Sequence, residues 1–130
     1  MISVSKKVEY SVILIAYLAK NNGQTISLMD VSKKLLLPYR FLGQLALALK
    51  EAGIVDSKEG KSGGYSLSAD WKKKSLYDLL DALGENKHMV SCLGKGGSCV
   101  REGQCDMRKL WNKLEMGLVK ELKLLNLTEI

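Results

Sequence analysis

Apolar and polar positions along this chain follow two periods, and the changes of period mark its elements. From Ser5 to Lys20 the apolar Val8, Val12, Ile15, Tyr17, Leu18 and Ala19 recur at roughly helical spacing, and Asn21-Asn22-Gly23 ends the run. A short extended Thr25-Ile26 follows. Ser27 then offers the side-chain acceptor of an N-cap, with Asp30 three residues on, and Leu28, Val31 and Leu35 form the apolar face of a second helix. Pro38 lacks the amide hydrogen that a first helical position leaves unused, so a third helix is predicted from Tyr39 to about Ala52, with Gly53 as its stop.

Beyond Gly53 the period falls to two. Ile54-Val55-Asp56-Ser57 alternates weakly, Glu59-Gly60-Lys61-Ser62-Gly63-Gly64 is turn-forming, and Tyr65-Ser66-Leu67-Ser68 alternates cleanly, which predicts a β-hairpin with a basic, glycine-rich tip. Two short helices joined by a tight turn and followed at once by a hairpin are the order of a winged helix-turn-helix. Lys72, Lys73 and Lys74 close that unit, and Leu76, Leu79, Leu80 and Leu83 mark a short helix stopped by Gly84. Farther on, Leu110, Leu114, Leu118, Leu122 and Leu125 step by four, four, four and three, one apolar stripe on a helix from about Asp106, its cap, to Leu125. Such a stripe needs a partner, and both the first helix of the same chain and an equivalent helix across a two-fold axis are expected to supply it. The fold class predicted is mainly α with a small β-hairpin wing. Residues 1–75 form the winged helix-turn-helix DNA-binding region and residues 76–130 a cysteine loop and a C-terminal dimerisation helix, within one integrated domain of 130 residues.

Charge sharpens this division. Residues 1–75 hold 12 Lys and Arg against 6 Asp and Glu, whereas residues 76–130 hold 8 of each, so the whole net charge of +6 lies in the first part. A basic helix-turn-helix beside a neutral segment implies that the first part meets a polyanion and the second serves another purpose. Lys6, Lys7 and Glu9 interrupt the first apolar run and Lys20 closes it, so neither a signal peptide nor a membrane span is expected and the chain is placed in the cytoplasm.

The chemistry-bearing residues are concentrated. All three cysteines, Cys92, Cys99 and Cys105, stand in one stretch, SCLGKGGSCVREGQC, with Gly94, Gly96, Gly97 and Gly103 between and around them. Thiolates bind soft metals, and glycines let a short loop turn several sulfurs toward one centre, so the loop reads first as a metal or iron–sulfur cradle. A redox-active loop without metal is the alternative. A disulfide framework is disfavoured by the odd count. Zinc sites use three cysteines and a further ligand, but usually with close cysteine pairs separated by two to four residues, which are missing here. His88 is the only histidine and no catalytic Cys-His pairing is readable, so the chain is not expected to be an enzyme; a metal or redox carrier with an incidental basic face is the reading from another class.

The start SKKVEYSV, the wing GKSGGYSLS, the loop CLGKGGSC with its C-x6-C-x5-C spacing and the following Leu110-Trp111 together resemble the Rrf2 family of bacterial winged-helix regulators, in particular its IscR-like and NsrR-like branches. The likeness covers nearly the whole chain. It implies a homodimer on double-stranded, palindromic promoter DNA. It also implies repression controlled by an iron–sulfur cluster, 2Fe-2S or 4Fe-4S, that senses cluster status, redox state or nitric oxide. By position the cluster cysteines would be Cys92, Cys99 and Cys105. The IscR-like branch adds a histidine three residues after the third cysteine, where this chain has Arg108, and a guanidinium has no lone pair to give. NsrR-like members use a first-helix carboxylate from the partner subunit, and Glu9 looks like its match, ahead of His88 as the alternative fourth ligand. The base-reading positions of the third helix are here Arg40, Gly43 and Gln44, beside Tyr39, and glycine gives up one contact. In the wing, Glu59 stands where the family often has arginine, which leaves Lys58 and Lys61, with Ser62 and Gly63, to meet the DNA backbone. Leu110, Leu114, Leu118 and Leu122 would make the dimer.

Overall fold

A computed structural model describes residues 3–96, 99–101 and 103–130; the expected loop glycine Gly97 lies outside them. Helix α1 (Lys6–Lys20) opens at Ser5, whose hydroxyl accepts from the Val8 amide, and buries Val8, Leu14, Ile15 and Leu18. Ser27 caps α2 (Leu28–Leu35) in the same way through the Asp30 amide. Helix α3 (Tyr39–Glu51) buries Leu42, Leu45, Ala46 and Leu49 against α1 and α2. Pro38 is its N-cap rather than its first helical residue and leaves the first turn without a side-chain cap.

The chain turns from α2 to α3 at Leu36, the C-cap of α2, which adopts the left-handed conformation at φ 55° and ψ 41°. The Leu37 amide returns to the Ser32 carbonyl, and the Ser32 hydroxyl donates to the Leu37 carbonyl. This fixes the angle between the two helices.

The hairpin pairs β1 (Val55–Lys58) antiparallel with β2 (Gly64–Leu67) in the register Val55 opposite Leu67 through Lys58 opposite Gly64. Both strands sit one residue from the expected positions, because Ser68 is spent on the α3 terminus: its hydroxyl donates to the Gly53 carbonyl at 2.7 Å and its amide to Ile54 at 3.0 Å. The extended Ile26 adds one antiparallel bridge to Tyr65, through amide-to-carbonyl bonds of 2.9 and 2.8 Å. Gly64, at φ 151°, packs so closely on the Ile26 carbonyl that a Cβ would collide with it, which roots the wing in the segment ahead of α2.

Helix α4 (Leu76–Ala82) begins at a reciprocal capping box, with Ser75 and Asp78 each accepting from the other's backbone. Helix α5 (Met107–Leu124) packs mainly on α4, not on α1 as the stripe suggested. The chain then folds back where the sequence pattern predicts nothing: the Leu125 carbonyl accepts from the Leu76 amide at 2.8 Å, Leu127 donates to Lys74 at 2.9 Å, and the Asn126 side chain donates to the Lys72 carbonyl at 2.7 Å. Leu127 thereby enters the same core as Leu14, Leu42, Ile54, Trp71 and Leu79. Among the described residues no helix is long and apolar enough to cross a membrane.

Candidate nucleic-acid interface and cysteine loop

The exposed face of the helix pair is cationic. From position 31 to 50 the chain carries Lys33, Lys34, Arg40 and Lys50 and no acid, since Asp30 and Glu51 stand just outside. The first turn of α3 holds Tyr39 and Arg40, both exposed, with Gln44 exposed one turn on. The first turn of α3 carries no acid and its N-cap, Pro38, makes no side-chain hydrogen bond, so the positive end of the helix lies beside that arginine. Lys58, Lys61 and Ser62 are exposed on the wing and Gly63 is half-buried beneath it, where a Cβ would strike the Lys58 carbonyl. Lys33 and Lys34 are not among the expected contacts; their pairing at the end of α2, ahead of Arg40 in a run from 31 to 50 without acid, is the signal that finds them.

The cysteine segment is attached to α5 at both ends. Cys92 is half-buried in a one-turn 3-10 helix, Ser91–Leu93, that packs on α5. Cys105 is half-buried immediately ahead of α5 and lines a depression of about 430 Å³ with Leu93, Gly103, Arg108, Lys109 and Asn112. Cys99 is exposed, and all three thiols are free. Asp106 occupies the N-cap position of α5 but sits in helical conformation and makes no side-chain cap, contrary to the expectation. As a donor set, three thiols in a glycine-rich segment suit a soft metal. Among the described residues no three His, Cys, Asp or Glu side chains are gathered around one point within the chain.

The two expected fourth ligands are differently occupied. Glu9 lies exposed in the first turn of α1 and accepts from Lys6 Nζ at 2.7 Å, an exposed pair worth little to stability. His88 lies in the stem leading to Cys92, where its Nδ1 meets Glu115 Oε1 at 2.6 Å, while the Met89 amide donates to Glu115 Oε2 at 2.9 Å. These contacts, the Met89 amide first and His88 second, hold the Glu115 carboxyl below its ordinary range. An ionised carboxylate only accepts, so the His88 proton resides on Nδ1.

On α5 the half-buried positions are Trp111, Glu115, Val119 and Leu122, the face turned to the rest of the chain. Leu110, Leu114, Leu118 and Leu125 are exposed by 38–53%. Of the expected stripe only Leu122 is half-buried. A cavity of about 500 Å³ between the start of α1, α4, residues 85–89 and α5 is lined by Val4, Val8, Leu80, Glu115, Leu118 and Leu122 among others.

Comparison with known proteins supplies the family. Residues 4–130 match the model of the Rrf2 family, described as iron-dependent transcriptional regulators. The transcriptional regulator IscR of Escherichia coli is 29% identical over 128 residues, covering 98% of this chain and 78% of that protein. Among solved structures, CymR of Bacillus subtilis, the global cysteine regulator, superposes with a TM-score of 0.77 at 25% identity over 98% of this chain and 95% of its own. The oxidized form of Staphylococcus aureus CymR does so with a TM-score of 0.69 at 28% identity, over 97% and 93%. With a helix-turn-helix, a wing and a C-terminal helix in the order these proteins share, and a match that spans nearly all its length, the chain belongs to the Rrf2 family of transcriptional regulators.

Proposed function

We propose that this chain is a homodimeric, DNA-binding repressor whose affinity for promoter DNA is set by chemistry at Cys92, Cys99 and Cys105. The observation that carries the reading is the attachment of the cysteine segment to α5 at both ends, next to a helix face whose leucines are exposed. In this reading residues 1–75 read DNA and residues 76–130 sense and assemble, within one domain. Leu110, Leu114 and Leu118, with Leu122 at their edge, meet their equivalents across a two-fold axis, because an apolar helix face left in water is stabilised by a partner. A change in the loop alters the packing of α5 and so the separation of two α3 helices, and a two-headed protein binds half-sites only at the spacing it matches.

At the loop, Cys92, Cys99 and Cys105 would hold an iron–sulfur cluster, with Glu9 of the second chain as the oxygen ligand. The cluster, when bound, supplies reversible redox and ligand-exchange chemistry at those thiols. The family description as iron-dependent regulators and the likeness to IscR support this. The second reading keeps the fold and makes the thiols themselves the switch. The partial exposure of the thiols supports it, as does the likeness to a CymR solved in an oxidized form. Neither reading makes the protein an enzyme.

Visible absorption of anaerobically purified protein, with iron and sulfide quantified, separates the two. A cluster with Glu9 as ligand gives charge-transfer bands that shift, and a cluster lost faster, in Glu9→Ala. Bands unchanged in Glu9→Ala but altered in His88→Ala would move the fourth ligand to His88, and colourless, metal-free protein that still responds to oxidant would leave the thiol switch. For the DNA face, Arg40→Ala should weaken binding to the selected operator by about 1–3 kcal/mol, the worth of a bidentate base contact, with helix content unchanged. Unaltered affinity and sequence preference would remove α3 from the reading surface.

A further inference from the structure

One side chain of α5 holds the stem of the cysteine loop through two hydrogen bonds. Glu115 lies half-buried in the middle of α5, with its side chain 17% exposed, and uses both carboxylate oxygens on the stem of the loop: Oε2 on the Met89 amide at 2.9 Å and Oε1 on His88 Nδ1 at 2.6 Å. The His88 ring continues the connection. A Cβ added at Gly94 would come to 3.3 Å of its Cδ2, so the ring stands beside the chain two residues beyond Cys92 and the glycine leaves it room. The route from loop to helix therefore runs by Gly94, His88 and Glu115, neighbours in space although positions 94 and 115 are 21 residues apart.

Two features make this more than a surface pair. A carboxylate that receives a backbone amide and a ring N–H together is held by two charge-assisted hydrogen bonds of fixed direction, unlike the exposed Lys6–Glu9 pair. It is also the only described polar side chain on the inward face of α5, which is otherwise Trp111, Val119 and Leu122. An apolar residue would pack there as well, but would give no directional hold on the stem.

We propose that Glu115 is a positioning residue that, through His88 and the Met89 amide, fixes the Cys92 end of the loop on α5 and carries a change in the loop to that helix. The inference rests on the proposed control of DNA binding by the cysteines, and two readouts keep the two apart. In the reduced protein, iodoacetamide alkylation of Cys92 is timed against Cys99, the exposed internal reference. Glu115→Ala should raise the Cys92 rate about tenfold relative to Cys99, because a half-buried thiol reacts as its segment opens. Separately, the affinity for the duplex upstream of the chain's own gene is measured with the loop thiols reduced and after their state is changed, by loading with iron and sulfide or by oxidation. The ratio of the two affinities should collapse toward one in Glu115→Ala while the reduced protein still binds.

An unchanged Cys92 rate overturns the positioning role. A raised rate with the wild-type affinity ratio intact makes Glu115 merely structural and overturns the coupling. A ratio of one in the wild type itself defeats the proposed regulation, and the coupling with it, while the alkylation result still decides the positioning. If Glu115→Ala loses helix content, the near-isosteric Glu115→Gln carries the same test with the same expected directions.

Discussion

Leu36 holds the tightest point of the reading head at φ 55° and ψ 41°, with its side chain 89% exposed. It is the only non-glycine with positive φ among the described residues. A Cβ in that conformation crowds the following carbonyl at a cost of roughly 1–2 kcal/mol, and a leucine so exposed recovers almost nothing by burial. Asparagine tolerates the left-handed region without glycine's extra freedom in the unfolded chain. Leu36→Asn should therefore raise stability by about 1 kcal/mol and the midpoint of thermal unfolding by a few degrees. A lower midpoint would mean that the turn is not strained or that Leu36 packs in a way the single chain does not show. The sequence hides this residue: Leu35-Leu36-Leu37 reads as an unbroken apolar run, and the signal for the turn is Pro38 two positions later. Glu115 was hidden too, because nothing in the sequence ties it to His88 27 positions earlier.

Among the elements, α5 shows how a pattern of leucines can mark a helix and mislead about its faces. Every leucine of the stripe except Leu125 is on α5, yet the face turned to the chain is Trp111, Glu115, Val119 and Leu122, and Leu110, Leu114 and Leu118 lie beside it. The leucines are thus available to a second chain without disturbing the contact with α4. Because Leu118 is 38% exposed in the single chain, a charge there can stay hydrated in a monomer but not in a two-fold contact. Leu118→Glu should leave helix content and cooperative unfolding of the monomer in place while the sedimenting species falls to one chain. A variant that remains fully dimeric would place Leu118 outside the interface.

For the whole molecule, the order of elements and the fold class were legible because each helix carries its own local signals: Ser5, Ser27 and Ser75 as caps, Gly53 and Gly84 as stops, and an alternating Tyr65-Ser66-Leu67. Contacts between distant segments were not. The bridge from Ile26 to Tyr65, the return of Leu125 and Leu127 to the start of α4, and the docking of α5 on α4 join segments far apart in sequence, for which periodicity carries no information. The cysteines were visible as a cluster in sequence, but the single chain does not gather them in space. Their use is the central claim. It is tested most directly by the dissociation constant for the duplex upstream of the chain's own gene, on one anaerobic preparation, before and after the state of the three thiols is changed by removing iron and sulfide or by oxidation. Coupling between sites is typically worth about 5- to 150-fold in affinity, so a shift of about tenfold is predicted, and it should vanish when Cys92, Cys99 and Cys105 are all replaced by Ser. The same dissociation constant in both states, with sequence-specific binding intact, would contradict the account.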